Sequence, residues 1–328
     1  MGIKIGNTNA DTSLKIGNTN LQNVYIGTNL IFGNQIIKLL DNYPNAHHAY
    51  SLRKLRSAYV GACLRVRRTT ASPVTSTQVD VGFDTNGVVS FSSPISNQTG
   101  TVTNATTLGQ FAQGTVDGLT ASVINVVTWY DQSGNNKNPT NATASQQPRL
   151  VNVVAGIATL ETSGGKVAVR FIKSSSNNLN IADTSAFINN MSSYWVGAFV
   201  TTVINQIGYS LAIGNRYYFP YIPGANTFAG YDTSATAMQI EVGVTTSRRL
   251  YEILAPSPLN ILAVQSWNNG VLYTQDLLAP AFAIQNITLG TGGTLYYNGY
   301  IQEVIGYQLN TNREGIENNI NTYWQIYP

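Results

Sequence analysis

The stretch Val126-Val127-Thr128-Trp129-Tyr130-Asp131-Gln132-Ser133-Gly134-Asn135 decides the reading of this chain. Its first half is β-branched and aromatic, which suits a buried strand. Its second half carries turn chemistry: Ser-Gly-Asn enters left-handed backbone conformations and hydrogen-bonds its own backbone. Two roles are open to the polar residues. Trp129 and Tyr130, just ahead of Asp131, could form the rim of a sugar site, with flat rings for C–H surfaces and a carboxylate for hydroxyls. Equally, the carboxylate and the amides after it could pin the turn beneath a core aromatic, the commoner use of such side chains.

Working outward, short alternating segments lie on both sides. Residues 60–66 and 77–83 read as strands before the stretch, with Arg65 and Arg67 sharing one face and Val66 the other. After it come 147–151, "GIATLE" and "KVAVRFI", then 194–203, 209–214, 238–244, 260–267, 271–278, 286–291 and 299–308. Asn268-Asn269-Gly270 is a hairpin turn signal. Residues 84–122 read as a decorated loop with short strands. Strands of this length at regular spacing, without a long helical pattern, predict an all-β antiparallel sandwich. One or two short helices accompany it. Ile316, Ile320 and Tyr323 have helical spacing within 312–323. Ala49, Leu52 and Leu55 have it within 46–55, after Pro44 and a capping Asn45. Residues 38–48 read as a linker, and 49–328 as the sandwich.

The first 37 residues repeat themselves. "IKIGNTN" at 3–9 returns as "LKIGNTN" at 14–20 and as "VYIGTN" at 24–29, so that Ile5 recurs as Ile16 and Ile26, with Tyr25 beside the last. Each unit is a short alternating strand next to a tight-turn signal. So small a β-repeat buries little apolar area and needs a partner. It reads as an attachment or oligomerisation module, with Ile5, Ile16, Tyr25 and Ile26 as its contact residues. A sheet edge packing on the larger domain is the other reading.

Hydrophobic residues make up 43% of the 328, ample for a sizeable core, while charged residues are only 10%, against roughly 25% in ordinary soluble domains. Asn, Thr, Ser and Gly solvate the surface instead. A net charge of +3 leaves no general nucleic-acid footprint, and no apolar run approaches the ~20 residues that cross a membrane. Cys63 is alone and reads as a small buried hydrophobe. His47 and His48 lack companion ligands, so no metal and no cofactor is expected. The chain opens without an apolar leader, which implies folding in the cytoplasm where it is made.

Four blocks carry a resemblance. "TWYDQSGN" with "PTNATASQQPRLV", "HHAYSLRKLRSAYVGACLRVRR" before it, "GGKVAVRF" after it and "YNGYIQEVIGYQLNTNREGIENNINTYWQI" at the end bracket about residues 42–328. In this order they resemble concanavalin A-like, laminin-G-like domains of phage virion proteins, a family that includes the catalytic domain of fungal α-L-arabinofuranosidase B. The resemblance implies a jelly-roll sandwich. The leader "GNT…VYIGTNLIF" resembles N-terminal segments of virion proteins from phages of gut bacteria. It implies a virion component (head fibre, capsid decoration or tail-associated protein) held to other virion proteins through residues 1–37. Analogy with fibres implies a homo-oligomer, a trimer.

A retaining glycosidase needs two carboxylates about 5–5.5 Å apart. The second half offers Asp232, Glu241, Glu252, Asp276 and Glu303, but no pair matches the family's catalytic motifs, and its Gly-Gly-Asp-Asn-like segment is absent. The chain is therefore expected not to be an enzyme, with an arabinofuranosidase-type hydrolase as the alternative. Binding of a cell-surface glycan has two candidate places: Trp129, Tyr130 and Asp131, and the aromatic loop 216–234 with Tyr217, Tyr218, Tyr221, Tyr231 and Asp232.

Overall fold

A computed structural model of the chain describes residues 14–16, 19–21, 23–26, 29–33, 38–70, 76–101, 103–119, 121–182, 191–201, 206–210, 218–222, 227–229, 238–241, 245–255, 264–276, 286–308 and 312–328. It divides into two compact units, Met1–Ile37 and Lys38–Pro328. In the small unit Leu14–Ile16 pairs with Thr19–Leu21, and Asn23–Ile26 with Asn29–Gly33, as two antiparallel hairpins. Ile16, Tyr25 and Ile26 therefore sit in strands, while Ile5 lies outside the described residues.

The large unit is an antiparallel β-sandwich. Its larger sheet holds thirteen strands. In chain order they are β1 (Ala46–Ser51), β2 (Leu64–Thr70), β3 (Ser76–Val81), β4 (Ile95–Gly100), β5 (Ala121–Trp129), β6 (Arg149–Val154), β7 (Ile157–Leu160), β8 (Val169–Phe171), β9 (Met191–Phe199), β10 (Arg249–Ala255), β11 (Val264–Asn268), β12 (Val271–Asp276) and β13 (Gly299–Tyr307). Across the sheet the order is β12-β11-β10-β9-β13-β8-β6-β5-β2-β3-β4, with β7 paired to β6 and β1 paired to β13. The second sheet has six strands, in the order Leu179–Ala182, Asn286–Leu289, Gln206–Ser210, Tyr218–Ile222, Thr227–Ala229 and Met238–Glu241.

Aromatic residues join the two layers. Trp195 stacks on Tyr251 at 5.6 Å and meets Tyr297 edge-on at 5.9 Å. At Gly208, on the second sheet, an added Cβ would stand 3.2 Å from the Trp195 indole nitrogen, so that strand lies directly on the ring. The Tyr209 hydroxyl and His48 Nε2 are 2.6 Å apart, a polar tie between the sheets inside an apolar core.

Three α-helices are described: α1 (Leu39–Asn42), α2 (Leu108–Gln113) and α3 (Arg313–Trp324). The terminal helix falls where Ile316 and Ile320 place it, and Asn312 caps it by accepting from Gly315 N at 2.9 Å. Two expectations are corrected. Residues 46–55 contain no helix: 46–51 form β1, buried at every position, so the strand shows no two-residue alternation to reveal it. Nor are residues 38–48 a free linker, since Leu39 and Leu40 are buried in the core and β1 begins at Ala46.

Candidate functional site

Turn 131–135 meets β1 at the edge that β13 leaves open. One Asp131 carboxylate oxygen accepts from Ala49 N (2.8 Å) and Ser133 N (2.9 Å). The other accepts from the Ser133 hydroxyl (2.7 Å) and Lys137 N (3.1 Å). Gln132 accepts from Leu55 N and donates to the Ser51 and Arg53 carbonyls. Asn135 donates to the carbonyls of Ala46 and His47, both at 3.0 Å. Gly134, at φ +97°, supplies the left-handed step that brings these side chains round. Asp131, Gln132 and Asn135 thus do for β1 and the residues just after it what a neighbouring strand would do, by satisfying backbone groups.

This corrects two candidate sugar ligands. Asp131 is 4% exposed with its oxygens committed to the clasp, and burial raises its pKa despite the hydrogen bonds it accepts. Trp129 is fully buried against Tyr50, ring centroids 6.4 Å apart. Neither faces solvent. Tyr218 and Tyr221 lie in a strand of the second sheet, opposite Ser210 and Ile207. Their side chains, together with Tyr217, Tyr231 and Asp232, lie outside the described residues.

Of Trp129, Tyr130 and Asp131, Tyr130 is the one that is half-buried rather than buried. Its hydroxyl donates to Asp80 at 2.8 Å, and burial with the Asp80 charge pushes its pKa up to about 12. Asp80 also accepts from Arg65 (2.9 Å) and Asn97 (2.7 Å), and Arg65 donates on to Gln78 and Thr99. The sheet face formed by β2, β3 and the end of β5 therefore presents an aromatic ring, a guanidinium and amides together, with the buried Asp80 carboxylate holding them in place from beneath. That set of donors, acceptors and one flat ring is what hydroxyl-rich ligands need. The alternation of β2 makes this face: Leu64, Val66 and Arg68 are buried, whereas Arg65 and Arg67 point outward. Reading Arg65 and Arg67 on one face anticipated half of it; Asp80 and Asn97 were missed because only strand pairing brings them there.

A second cluster lies where α3 meets β10. Glu252 and Glu317 each accept from Arg313 Nη1, at 2.9 and 2.6 Å. Arg313 in turn covers the Trp267 ring at 4.4 Å. Burial, then the Glu317 charge, raises the Glu252 carboxyl to about 8, with Arg313 offsetting part of the rise. Glu252 Oε1 makes no hydrogen bond among the described residues. A carboxyl raised in this way beside a second carboxyl is the kind of asymmetry that acid–base chemistry uses. Glu317 escaped sequence reasoning because it sits on the last helix, far along the chain from the strand carboxylates considered. Glu303, by contrast, is fully engaged by Arg53 (2.8 and 3.0 Å), Ser51 (2.6 Å) and Trp324 (3.1 Å). The chains of Glu241 and Asp276 end described strands, and their side chains lie outside the described residues. Among the described residues no group of three or more His, Cys, Asp or Glu is arranged to hold a metal ion.

No protein-family profile matches the chain, and no curated protein matches it. Among solved structures it is similar to an arabinofuranosidase complexed with arabinofuranosyl-α-1,2-xylobiose, with a TM-score of 0.54, 14% identity and 87% of this chain covered. It is also similar to a GH54 α-L-arabinofuranosidase soaked with a cyclic sulfate inhibitor, with a TM-score of 0.52, 12% identity and 88% of this chain covered. The chain spans 64% of the length of each. The expectation that the chain is not an enzyme is corrected here: both of these solved structures, alike in fold over 87% and 88% of this chain, are arabinofuranosidases. What the likeness establishes is the fold, a β-sandwich of the kind those arabinofuranosidases contain.

Proposed function

We propose that this protein acts on carbohydrate, recognising a glycan on the polar face of the larger sheet around Tyr130 and Arg65, which Asp80 holds in place. The observation that carries this reading is that face itself, set on a sandwich whose structural relatives are arabinofuranosidases. A neutral, amide-rich surface with one accessible ring recognises hydroxyls without a deep pocket. Calorimetric titration with arabino-oligosaccharides and xylo-oligosaccharides tests it. Binding that weakens about tenfold in Tyr130→Ala supports the site; undiminished binding in that variant refutes it.

Cleavage of a glycan at a separate place, the Glu252–Glu317 pair where α3 meets β10, is the second reading. It predicts release of 4-nitrophenol from the aryl α-L-arabinofuranoside, lost in both Glu252→Gln and Glu317→Gln. Hydrolysis that persists in both variants would move the chemistry elsewhere in the chain.

The setting we propose is a virion surface, with residues 1–37 binding other virion proteins and the sandwich displayed in several copies to host-cell glycans. The internal repeat and the resemblance of the leader support this. Particles assembled with a chain lacking residues 1–37 test it: retention of the shortened protein at wild-type copy number would refute the attachment role.

A further inference from the structure

The polar face continues across the sheet as a row that no single strand reveals. Gln78 on β3 stands opposite Arg67 on β2, and Arg67 opposite Asn125 on β5. Asn125 is opposite Arg149 on β6, Arg149 opposite Arg170 on β8, and Arg170 opposite Tyr300 on β13. Directly opposed residues share a face, so these six side chains form one line over six strands. At the usual strand spacing of ~4.8 Å the line is roughly 24 Å long. All six are half-buried.

Three of the six are arginines, and two have no carboxylate partner among the described residues. Arg67 is held by Gln147 Oε1 (3.1 Å) and the Ser76 hydroxyl (3.0 Å). Arg170 is held by Asn298 Oδ1 (2.8 Å) and the Gly299 carbonyl (3.2 Å), with its guanidinium 5.2 Å from the Tyr300 ring centre. Neutral acceptors fix these guanidinium groups in place without cancelling their charge. Arg149 pairs with Glu161 at 2.6 Å, and Arg65, beside the row, with Asp80. Neither the Arg67 nor the Arg170 guanidinium has a carboxylate within ion-pair distance among the described residues, Glu161 acting on Arg170 only from farther off, in a chain whose net charge is only +3. Guanidinium forks match carboxylates in bidentate geometry. Asn125, Gln78 and the Tyr300 ring supply what the rest of a sugar needs.

We propose that this row is the binding track for an acidic polysaccharide, a chain of uronic-acid type whose carboxylates meet Arg67 and Arg170. The proposal rests on the carbohydrate reading above and names the class of glycan that the same face takes. An extended polymer suits a flat line of contacts better than a compact ligand does, and the partly neutralised Arg149 lies beneath its middle.

The test is calorimetric titration of the full chain with polygalacturonate, carboxyl-reduced polygalacturonate, arabinan and duplex DNA, each at 50 and 200 mM salt. Polygalacturonate should bind, weaken at the higher salt and lose at least tenfold in affinity in the double variant Arg67→Gln, Arg170→Gln. The carboxyl-reduced polymer should bind at least tenfold more weakly than its parent. Should the double variant fail to fold by circular dichroism, Arg67→Gln alone carries the test, with a threefold or greater loss expected. Equal affinity for the reduced polymer, or no effect of the arginine substitutions, overturns the acidic track. Binding of duplex DNA as tight as that of polygalacturonate also overturns it, since the row would then be a general polyanion site. Arabinan binding without any acidic preference would leave the carbohydrate reading standing and remove only this proposal; silence toward all three polysaccharides removes both.

Discussion

Asp131 shows how a residue suited to a binding site serves the backbone instead. Its carboxylate accepts four hydrogen bonds, three of them from main-chain N–H groups. Truncation would strand buried donors, each costing about 1–3 kcal/mol. Asp131→Ala should therefore destabilise the fold by roughly 2–4 kcal/mol in urea unfolding, and a change under ~0.5 kcal/mol would contradict the clasp. Glu252 gives a prediction in pH. Its folded pKa of about 8 stands above the ordinary 4.5, so the folded state holds the proton more tightly than the unfolded chain does. That contribution is complete below pH ~4.5 and disappears as pH rises through about 8. Melting temperature should carry a falling contribution from this group between about pH 5 and pH 8, and Glu252→Gln should flatten it. An unchanged slope in the variant would assign the pH dependence to another group.

At the scale of elements, the clearest lesson is β1. Its edge bonds to β13 run from Ala46 to Ser51, and its other flank is met by Asp131, Gln132 and Asn135. Gln132→Ala should speed amide exchange at Leu55, whose N–H it accepts, more than at strands β9 and β10. Uniform exchange across all three would mean that the clasp does not act locally. The capped, periodic α3 was legible in the sequence, because Asn312, Ile316 and Ile320 report on local geometry alone. Strand β1 was not: buried on both faces, it offers apolar residues whose spacing suits a helix as well. The arginine row was illegible for a different reason. Arg67, Arg149 and Arg170 are separated by long stretches of chain, and only the register of β2, β5, β6 and β8 lines them up. Turn 131–135 was half legible. Its residue types announced a turn, but the strand it holds lies about eighty residues earlier.

At the scale of the molecule, the core of the large unit is continuous from Leu39 to Trp324. A chain beginning at Lys38 should therefore fold alone, with a single cooperative melt and the β-rich circular dichroism of the full protein. Aggregation of that chain, or loss of its near-ultraviolet signal from Trp129, Trp195 and Trp324, would tie the sandwich to the first 37 residues. The clasp also has a consequence for how copies coexist at high density. A strand with free main-chain groups invites the same strand of a neighbour, and the association spreads. Along β1 the main-chain groups of Ala46, His47, Ala49 and Ser51, and just beyond it those of Arg53 and Leu55, are already engaged by the side chains of Asp131, Gln132 and Asn135. Crowded molecules thus find no template there, and whatever assembly they form must use side-chain surfaces rather than growth of that sheet.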